Sequence, residues 1–437
     1  MSKFLFTVWP FYGHIHPNIA VARALRDRGH EVRFYSGSAA REVIEGEGFA
    51  FSPLEHVDES RITHIVTSAE GIMAQRRNPL RLRAMWREWL LGTVEGQLTD
   101  LRAVIDSWRP DVIVCDPAMW GPILVLGERA GIPVSIFAYT AACILPGRDG
   151  PLLGMSLPRA RTAPARAFRS LMQAASKLFT RQATREANAL RARHGLPPIS
   201  GSVTEFTGGM ALYLVPSVPE FDYQRTDLPP SVHYVGPCLW NKPADQPPPD
   251  WLAELPGGQP IVFVTEGTVP VKEAKLLKSA LAGLGTLDAT VIMTTGPDRD
   301  PVALGLAVPP NVRVERWVPL SDLLPRTDLV VTTGGSGTVM AALKQGIPVL
   351  AAPIAWDQPE NAWRIVEAGV GLRIPYDRCT PRRLRAAVER LLGEPSFHDH
   401  AHRMAEALGR YAGPALAAEL LEQLAARPVS ASPVQSS

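Results

Sequence analysis

Residues 329–352 read LVVTTGGSGTVMAALKQGIPVLAA. Leu329–Thr333 and Pro348–Ala352 are short apolar runs of the length expected for strands buried on both faces. Thr338–Gln345 between them has the length and spacing of a helix, and the glycine-rich turn Thr332–Thr338 joins the first strand to it. Strand, crossover helix, strand is the repeating unit of a parallel sheet. Glycines in such a turn let backbone N–H groups approach a ligand, and the helix N-terminus supplies positive potential for a phosphate. Taken alone, the turn is a plain tight turn or the pyrophosphate loop of a dinucleotide enzyme.

The flanking residues narrow the choice. Trp317-Val318-Pro319 lies one strand upstream, and Trp356-Asp357-Gln358 follows the next strand. Open α/β sheets bind ligands at the carboxyl ends of their strands, and all three segments fall at that edge. An aromatic plate, an anion cradle and a paired carboxylate and amide together suit a nucleotide-sugar.

The same rhythm extends in both directions. Ile261–Thr265, Thr290–Thr294 and Val312–Glu315 read as further strands of this half, with a helix at Glu273–Leu284. Upstream, the proline-rich segment 236–260 lacks periodicity and reads as an interdomain linker. Before it, Lys3–Val8, Glu31–Ser36, Asp111–Cys115 and Pro133–Phe137 read as strands of a second sheet, and Pro17 marks a helix start after the first of them. Leu80–Trp108 and Ala165–His194 are long helical stretches, either ordinary covering helices or an excursion over one mouth of the sheet. The expected organisation is a first domain over 1–235, the linker at 236–260, a second domain over 261–426 and a disordered tail over 427–437. The fold class is α/β, with two doubly wound parallel-sheet, Rossmann-like domains facing each other across a cleft.

Composition limits the functions. A chain of 437 residues suggests two or three domains at ~100–200 residues each. Hydrophobic residues make up 46% and charged residues 20%, a balance that fits a globular core. Forty-five basic and 43 acidic residues leave a formal charge of +2, so a nucleic-acid partner is not expected. Cys115, Cys143, Cys238 and Cys379 form no CxxC pair, against a disulfide framework or a cysteine zinc site. Lys3–Val8 is too short for a signal peptide, and no run reaches the ~18 apolar residues of a membrane span. A reduced, cytoplasmic enzyme with no metal or bound cofactor is the expectation.

The run from Arg316 to Leu372 resembles the donor-binding signature of GT-B glycosyltransferases, specifically the superfamily of UDP-dependent plant, macrolide and antibiotic glycosyltransferases. Gly13-His14-Ile15-His16-Pro17 resembles their N-terminal GHxxP element, and Tyr234-Val235-Gly236-Pro237 their domain junction. The resemblance implies that Trp317, with Val318 beside it, faces the nucleotide base. It also implies that Gly335, Ser336, Gly337 and Thr338 hold the diphosphate, that Asp357 and Gln358 bind sugar hydroxyls, and that Thr268 makes a further phosphate or sugar contact. Two positions depart from the pattern: Thr333 stands where the family has a diphosphate-binding His, which leaves the phosphate to backbone N–H groups and to the hydroxyls of Thr333 and Thr338, and Ala341 stands where it has a ribose-binding Glu. The missing Glu fits a deoxyribose donor such as a dTDP-sugar.

His14 follows the first strand and Asp116 the strand Asp111–Cys115, so both end at the same sheet edge. A neutral imidazole poised by a carboxylate can take the proton of an attacking hydroxyl, and the resemblance implies those roles for this pair. His16 is the competing base. Trp86, Trp89, Trp120 and Phe137 either line an apolar acceptor pocket or are core packing. The expectation is an inverting, metal-independent transfer from a nucleoside-diphosphate sugar, a substrate rather than a cofactor, to a hydroxyl of a lipophilic natural product. Two rivals remain, a dinucleotide oxidoreductase and a catalytically silent relative that binds a ligand or assists a partner.

Overall fold

The computed structural model describes residues 1–68, 71, 79–138, 145, 147, 150, 157–223, 225–241, 249–267, 274–296, 299–301, 305 and 307–427. Thr268, Cys143, the middle of the linker and the tail beyond 427 lie outside the described residues.

The first sheet contains β1 (Lys3–Thr7), β2 (Glu31–Ser36), β3 (Ala50–Pro53), β4 (Val112–Cys115), β5 (Val134–Phe137), β6 (Leu212–Val215) and β7 (Val232–Tyr234). Their spatial order is 3-2-1-4-5-6-7, and every pair is parallel. The second sheet contains β8 (Ile261–Thr265), β9 (Thr290–Thr294), β10 (Val312–Glu315), β11 (Leu329–Thr332), β12 (Val349–Ala351) and β13 (Gly371–Arg373), in the order 10-9-8-11-12-13, again parallel throughout. Alternate side chains enter opposite layers: Leu5 and Ile113 pack on one face of the first sheet, Phe4, Phe6, Val112 and Val114 on the other. Burial on both faces explains why these strands read as unbroken apolar runs.

The strand order reverses between β1 and β4 in the first sheet and between β8 and β11 in the second. Such switch points open a crevice at the carboxyl ends of the strands. His14 and Asp116 follow the two strands of the first reversal. Gly267 and the Thr333–Gly337 turn follow the two strands of the second.

Two expectations need correction. Helix α1 spans Tyr12–Asp27, so it starts five residues before Pro17, and His14 lies in its first turn rather than in a loop. Phe11 is the N-cap, with extended backbone, and its carbonyl accepts from the amides of His14 (2.8 Å) and Ile15 (2.9 Å). Pro17 lies inside the helix and lacks the amide that would have bonded the Gly13 carbonyl, so one hydrogen bond of the second turn is missing.

The second correction concerns the end at 426. Helices α2 (Ala163–Arg193), α3 (Ser336–Lys344) and α4 (Gln358–Glu367) fall in the expected halves, but α5 (Pro414–Ala425) does not. Its Ala417, Ala418, Leu421 and Leu424 are buried among Phe4, Phe6, Ile19 and Val114 of the first half. Glu422 there binds Arg28 (2.5 Å) and His30 (2.6 Å), and these partners hold its carboxyl down at about 2. The apolar i, i+3/i+4 stripe of α5 completes the layer over the first sheet.

The chain thus crosses between the halves twice, and the crossings touch. Gly236 has φ 85°, and a Cβ there would meet Tyr411 at 2.5 Å. Gly413, at φ 55°, donates its amide to the Val235 carbonyl at 2.8 Å. A buried ion pair also ties the halves. Arg364 of α4 gives Nη2 (2.8 Å) and Nε (3.1 Å) to Asp222 Oδ1, both side chains being fully buried, and Tyr234 Oη donates to Asp222 Oδ2 at 2.5 Å.

Candidate active site

A cavity of about 990 Å³ lies at the two switch points and is lined from both halves. On the first half, Asp116 leaves β4 fully buried and accepts the Ala118 amide on Oδ1 at 2.8 Å. Its Oδ2 lies 2.5 Å from His14 Nδ1. A carboxylate on Nδ1 fixes the tautomer whose Nε2 carries the lone pair, the arrangement a proton acceptor needs. His16, two residues on, is half-buried with its ring 4.6 Å from that of Trp240, and partial burial pushes its imidazole down to about 4. Among the described residues no carboxylate orients it as Asp116 orients His14.

On the second half, Trp317 follows β10 and is 52% exposed, an open aromatic face on the cavity wall. Val318 turns the other way, into the core beside Leu323 and Val330, so only its backbone is available to a ligand. Gly335 caps α3, and Gly335, Ser336, Gly337 and Thr338 line the cavity at its N-terminus. Gly334 precedes the cap at φ 92°, a left-handed backbone that glycine adopts without strain. Thr333 is buried, and its hydroxyl donates to the Glu266 carbonyl at 3.1 Å. Its proton is therefore spent on the backbone rather than directed at an anion.

Asp357 sits at the N-terminus of α4. Ser336 Oγ and Asn361 Nδ2 both donate to its Oδ2 at 2.8 Å, and Asn361 Nδ2 also reaches the Gly334 carbonyl at 3.0 Å. Burial raises the Asp357 carboxyl above the usual range, opposed by these two donors and, across the cleft, by the charge of His14. The two halves thus present their ionisable groups to one space. Gln358 lines the cavity, but its Oε1 accepts from the amides of Ile354 (2.9 Å) and Ala355 (3.3 Å) and shapes the turn that delivers Asp357. Ala341 lies one turn beyond Thr338 on the same wall.

Among the aromatic candidates, Trp86, Trp89 and Trp120 line the cavity. Phe137 does not: it is buried under β5 with Phe4 and Leu214, because its place in the strand turns it to the face covered by α1 and α5. Sequence reasoning missed Asn361, whose spacing of four from Asp357 on a helix was the available signal. It also missed Phe11, Phe179 and Trp240, which add to the aromatic lining, and gave Trp356 no role beyond its place at the strand edge. Among the described residues, the group spaced for a metal, Glu55, His56 and Asp100, is separate from this cavity, and its Asp100 already accepts from Tyr35 Oη at 2.8 Å.

Comparisons with known proteins agree on the chain's relatives. Residues 12–136 match the glycosyltransferase family 28 N-terminal domain, and residues 278–424 the C-terminal domain of erythromycin biosynthesis protein CIII-like proteins. The chain is 35% identical over 414 residues to 4'-demethylrebeccamycin synthase of Lentzea aerocolonigenes, covering 92% of this chain and 94% of that one. It is 27% identical to demethyllactenocin mycarosyltransferase of Streptomyces fradiae, covering 97% and 87%. Among solved structures, the kitacinnamycin glycosyltransferase superposes with a TM-score of 0.72 at 23% identity, covering 97% and 99%. The spinosyn rhamnosyltransferase in complex with spinosyn aglycone does so at 0.70 and 20%, covering 97% and 100%.

Proposed function

Because this chain belongs to the GT-B glycosyltransferases of antibiotic and natural-product biosynthesis, we propose that it is an inverting transferase using a nucleoside-diphosphate sugar, with His14 as its base. The observation that carries this reading is the His14–Asp116 contact of 2.5 Å on a cavity that Asp357 lines from the opposite half.

On this reading the acceptor hydroxyl oxygen attacks the anomeric carbon as its proton passes to His14 Nε2. Asp116 stabilises the imidazolium that results. The bond from the anomeric carbon to the phosphate oxygen breaks on the opposite face, inverting the centre. The departing diphosphate takes its charge to the backbone N–H groups at the start of α3, where the helix dipole favours an anion, and the transfer is assigned no metal. Thr338 adds a hydroxyl there; Thr333, committed to the Glu266 carbonyl, is assigned no phosphate contact. The base of the nucleotide stacks on Trp317, and Asp357 and Gln358 hold the sugar. Fixed donors and a positioned nucleophile supply the rate enhancement. The acceptor is a lipophilic hydroxyl compound lying along Trp86, Trp89 and Trp120.

A panel of UDP- and dTDP-sugars, followed by release of nucleoside diphosphate, tests the reading with wild type and His14→Ala. The variant is expected to lose roughly 10²–10⁴-fold in transfer while keeping its affinity for the nucleoside diphosphate. Near-full turnover by His14→Ala would remove the base assignment. Nucleotide binding without turnover of any donor would favour a silent relative.

A further inference from the structure

Trp356 immediately precedes Asp357 in the second half, yet its indole packs against the first. Its ring centroid lies 5.7 Å from that of Trp89 at an interplanar angle of 80°. Trp89 also meets Trp9 (5.9 Å, 65°) and Phe11 (6.3 Å, 82°), and Phe11 in turn meets the ring of His14 at 5.5 Å. Trp356 touches the cores of both halves. Its φ is 58°, in the left-handed region that bulky residues avoid. Such a conformation persists where the surroundings over-determine it, and it clusters at ligand clamps. A glycine would sit there at no cost, but it would offer no ring.

A second, independent feature falls in the same contact. Trp89 Nε1 is buried without a hydrogen-bond partner, whereas buried indole N–H groups usually find one. The corner lies on the cavity wall, and six of the ten tryptophans of the chain line that cavity.

We propose that Trp356 is a specificity-determining residue for the acceptor, the donor half's wall of the acceptor site, and that the acceptor presents a flat aromatic ring bearing an oxygen. The assignment of this corner to the acceptor rests on the reading of His14 as the base. An aromatic ring entering beside Trp89 and Trp356 continues the edge-to-face pattern already present there. Its oxygen supplies the partner that Trp89 Nε1 lacks as the corner opens to admit it. A saturated ring of similar bulk gains burial but neither the ring geometry nor the hydrogen bond.

Calorimetric titration of the full chain with alizarin, a flat dihydroxy aromatic, and with 1-adamantanol, a compact saturated alcohol, tests this without turnover. Trp356→Gly, which accepts the left-handed backbone, should weaken alizarin binding at least tenfold, and Trp356→Phe no more than threefold. The affinity for dTDP or UDP, whose ligands lie on α3 and at Trp317, should stay within twofold in both variants. Unchanged alizarin affinity in Trp356→Gly would overturn the proposal. So would wild type binding 1-adamantanol as tightly as alizarin, or a parallel loss of alizarin and nucleotide that marks Trp356 as merely structural. Absence of nucleotide binding alongside the expected alizarin pattern would count against the transferase reading, and with it the word acceptor, while leaving Trp356 as the selecting wall of an aromatic-ligand site.

Discussion

Asp357 has two carboxylate oxygens with different neighbours. Oδ2 is held by Ser336 and Asn361, so the carboxylate is locked and Oδ1 is the oxygen those two donors leave for a sugar hydroxyl. Asp357→Ala should therefore weaken binding of a nucleoside-diphosphate sugar by about 10- to 100-fold, the worth of a hydrogen bond to a charged group. Affinity for the nucleoside diphosphate alone should barely change, and paired calorimetric titrations check the difference. Equal losses would place Asp357 in the fold rather than at the sugar. Asp357 stood out in the sequence because an acid following a strand end is exposed to the ligand edge. Asn361 did not, because its importance lies in bridging Gly334, Ser336 and Asp357, three positions that only the tertiary structure brings together. Phe137 read as a pocket candidate for the converse reason: composition says that an aromatic is buried, but not which face of its strand it takes.

At the scale of elements, α1 carries two histidines with different fates. His14 meets a carboxylate, while His16 is half-buried beside Trp240 and is pushed down to about 4, from 6.5 when unfolded. Below pH 6.5 the unfolded chain takes up a proton that folded His16 refuses. The associated stability is thus present above that pH and is lost as the pH falls towards 4. Wild type should lose about 2 kcal/mol more than His16→Gln between pH 7 and pH 5, measured by urea denaturation. On α3, Ala341 leaves the cavity wall without an acceptor where a nucleotide ribose is expected. Ala341→Glu should shift the ratio of kcat/KM for UDP-glucose over dTDP-glucose towards UDP by about 1–3 kcal/mol, and an unchanged ratio would leave donor choice to the surroundings of Trp317. Most central strands were legible because burial on both faces writes itself as apolar runs; β6, interior and buried throughout, was not read as a strand. β3, β7 and β13 are short edge or near-edge strands and leave weaker marks. The start of α1 was misplaced because proline is favoured at the first position of a helix, whereas here it lies inside one, at the cost of one backbone hydrogen bond.

For the whole molecule, the buried Arg364–Asp222 pair joins the helix that follows Asp357 to the first half. Asp222→Ala leaves a buried guanidinium without its carboxylate and should cost about 3–5 kcal/mol in denaturant unfolding, whereas replacing both partners with apolar residues of similar volume should cost much less. Equal costs would mean that the pair contributes by packing alone. Neither this pair nor the return of α5 was legible, since each depends on residues more than a hundred positions apart. A composition break announces one crossing at 236–260; the second, a four-residue break between helices ending at Gly413-Pro414, is marked in the sequence only as a turn. The two crossings lie side by side, with the Gly413 amide bonded to the Val235 carbonyl. A single tether would leave the halves free to twist about it. A pair of passages fastened to each other behaves as a flat strap, stiff to torsion and soft to folding across its width. Relative motion then reduces to one angle, and the distance of each residue from the strap, its lever arm, sets how far it travels as that angle changes.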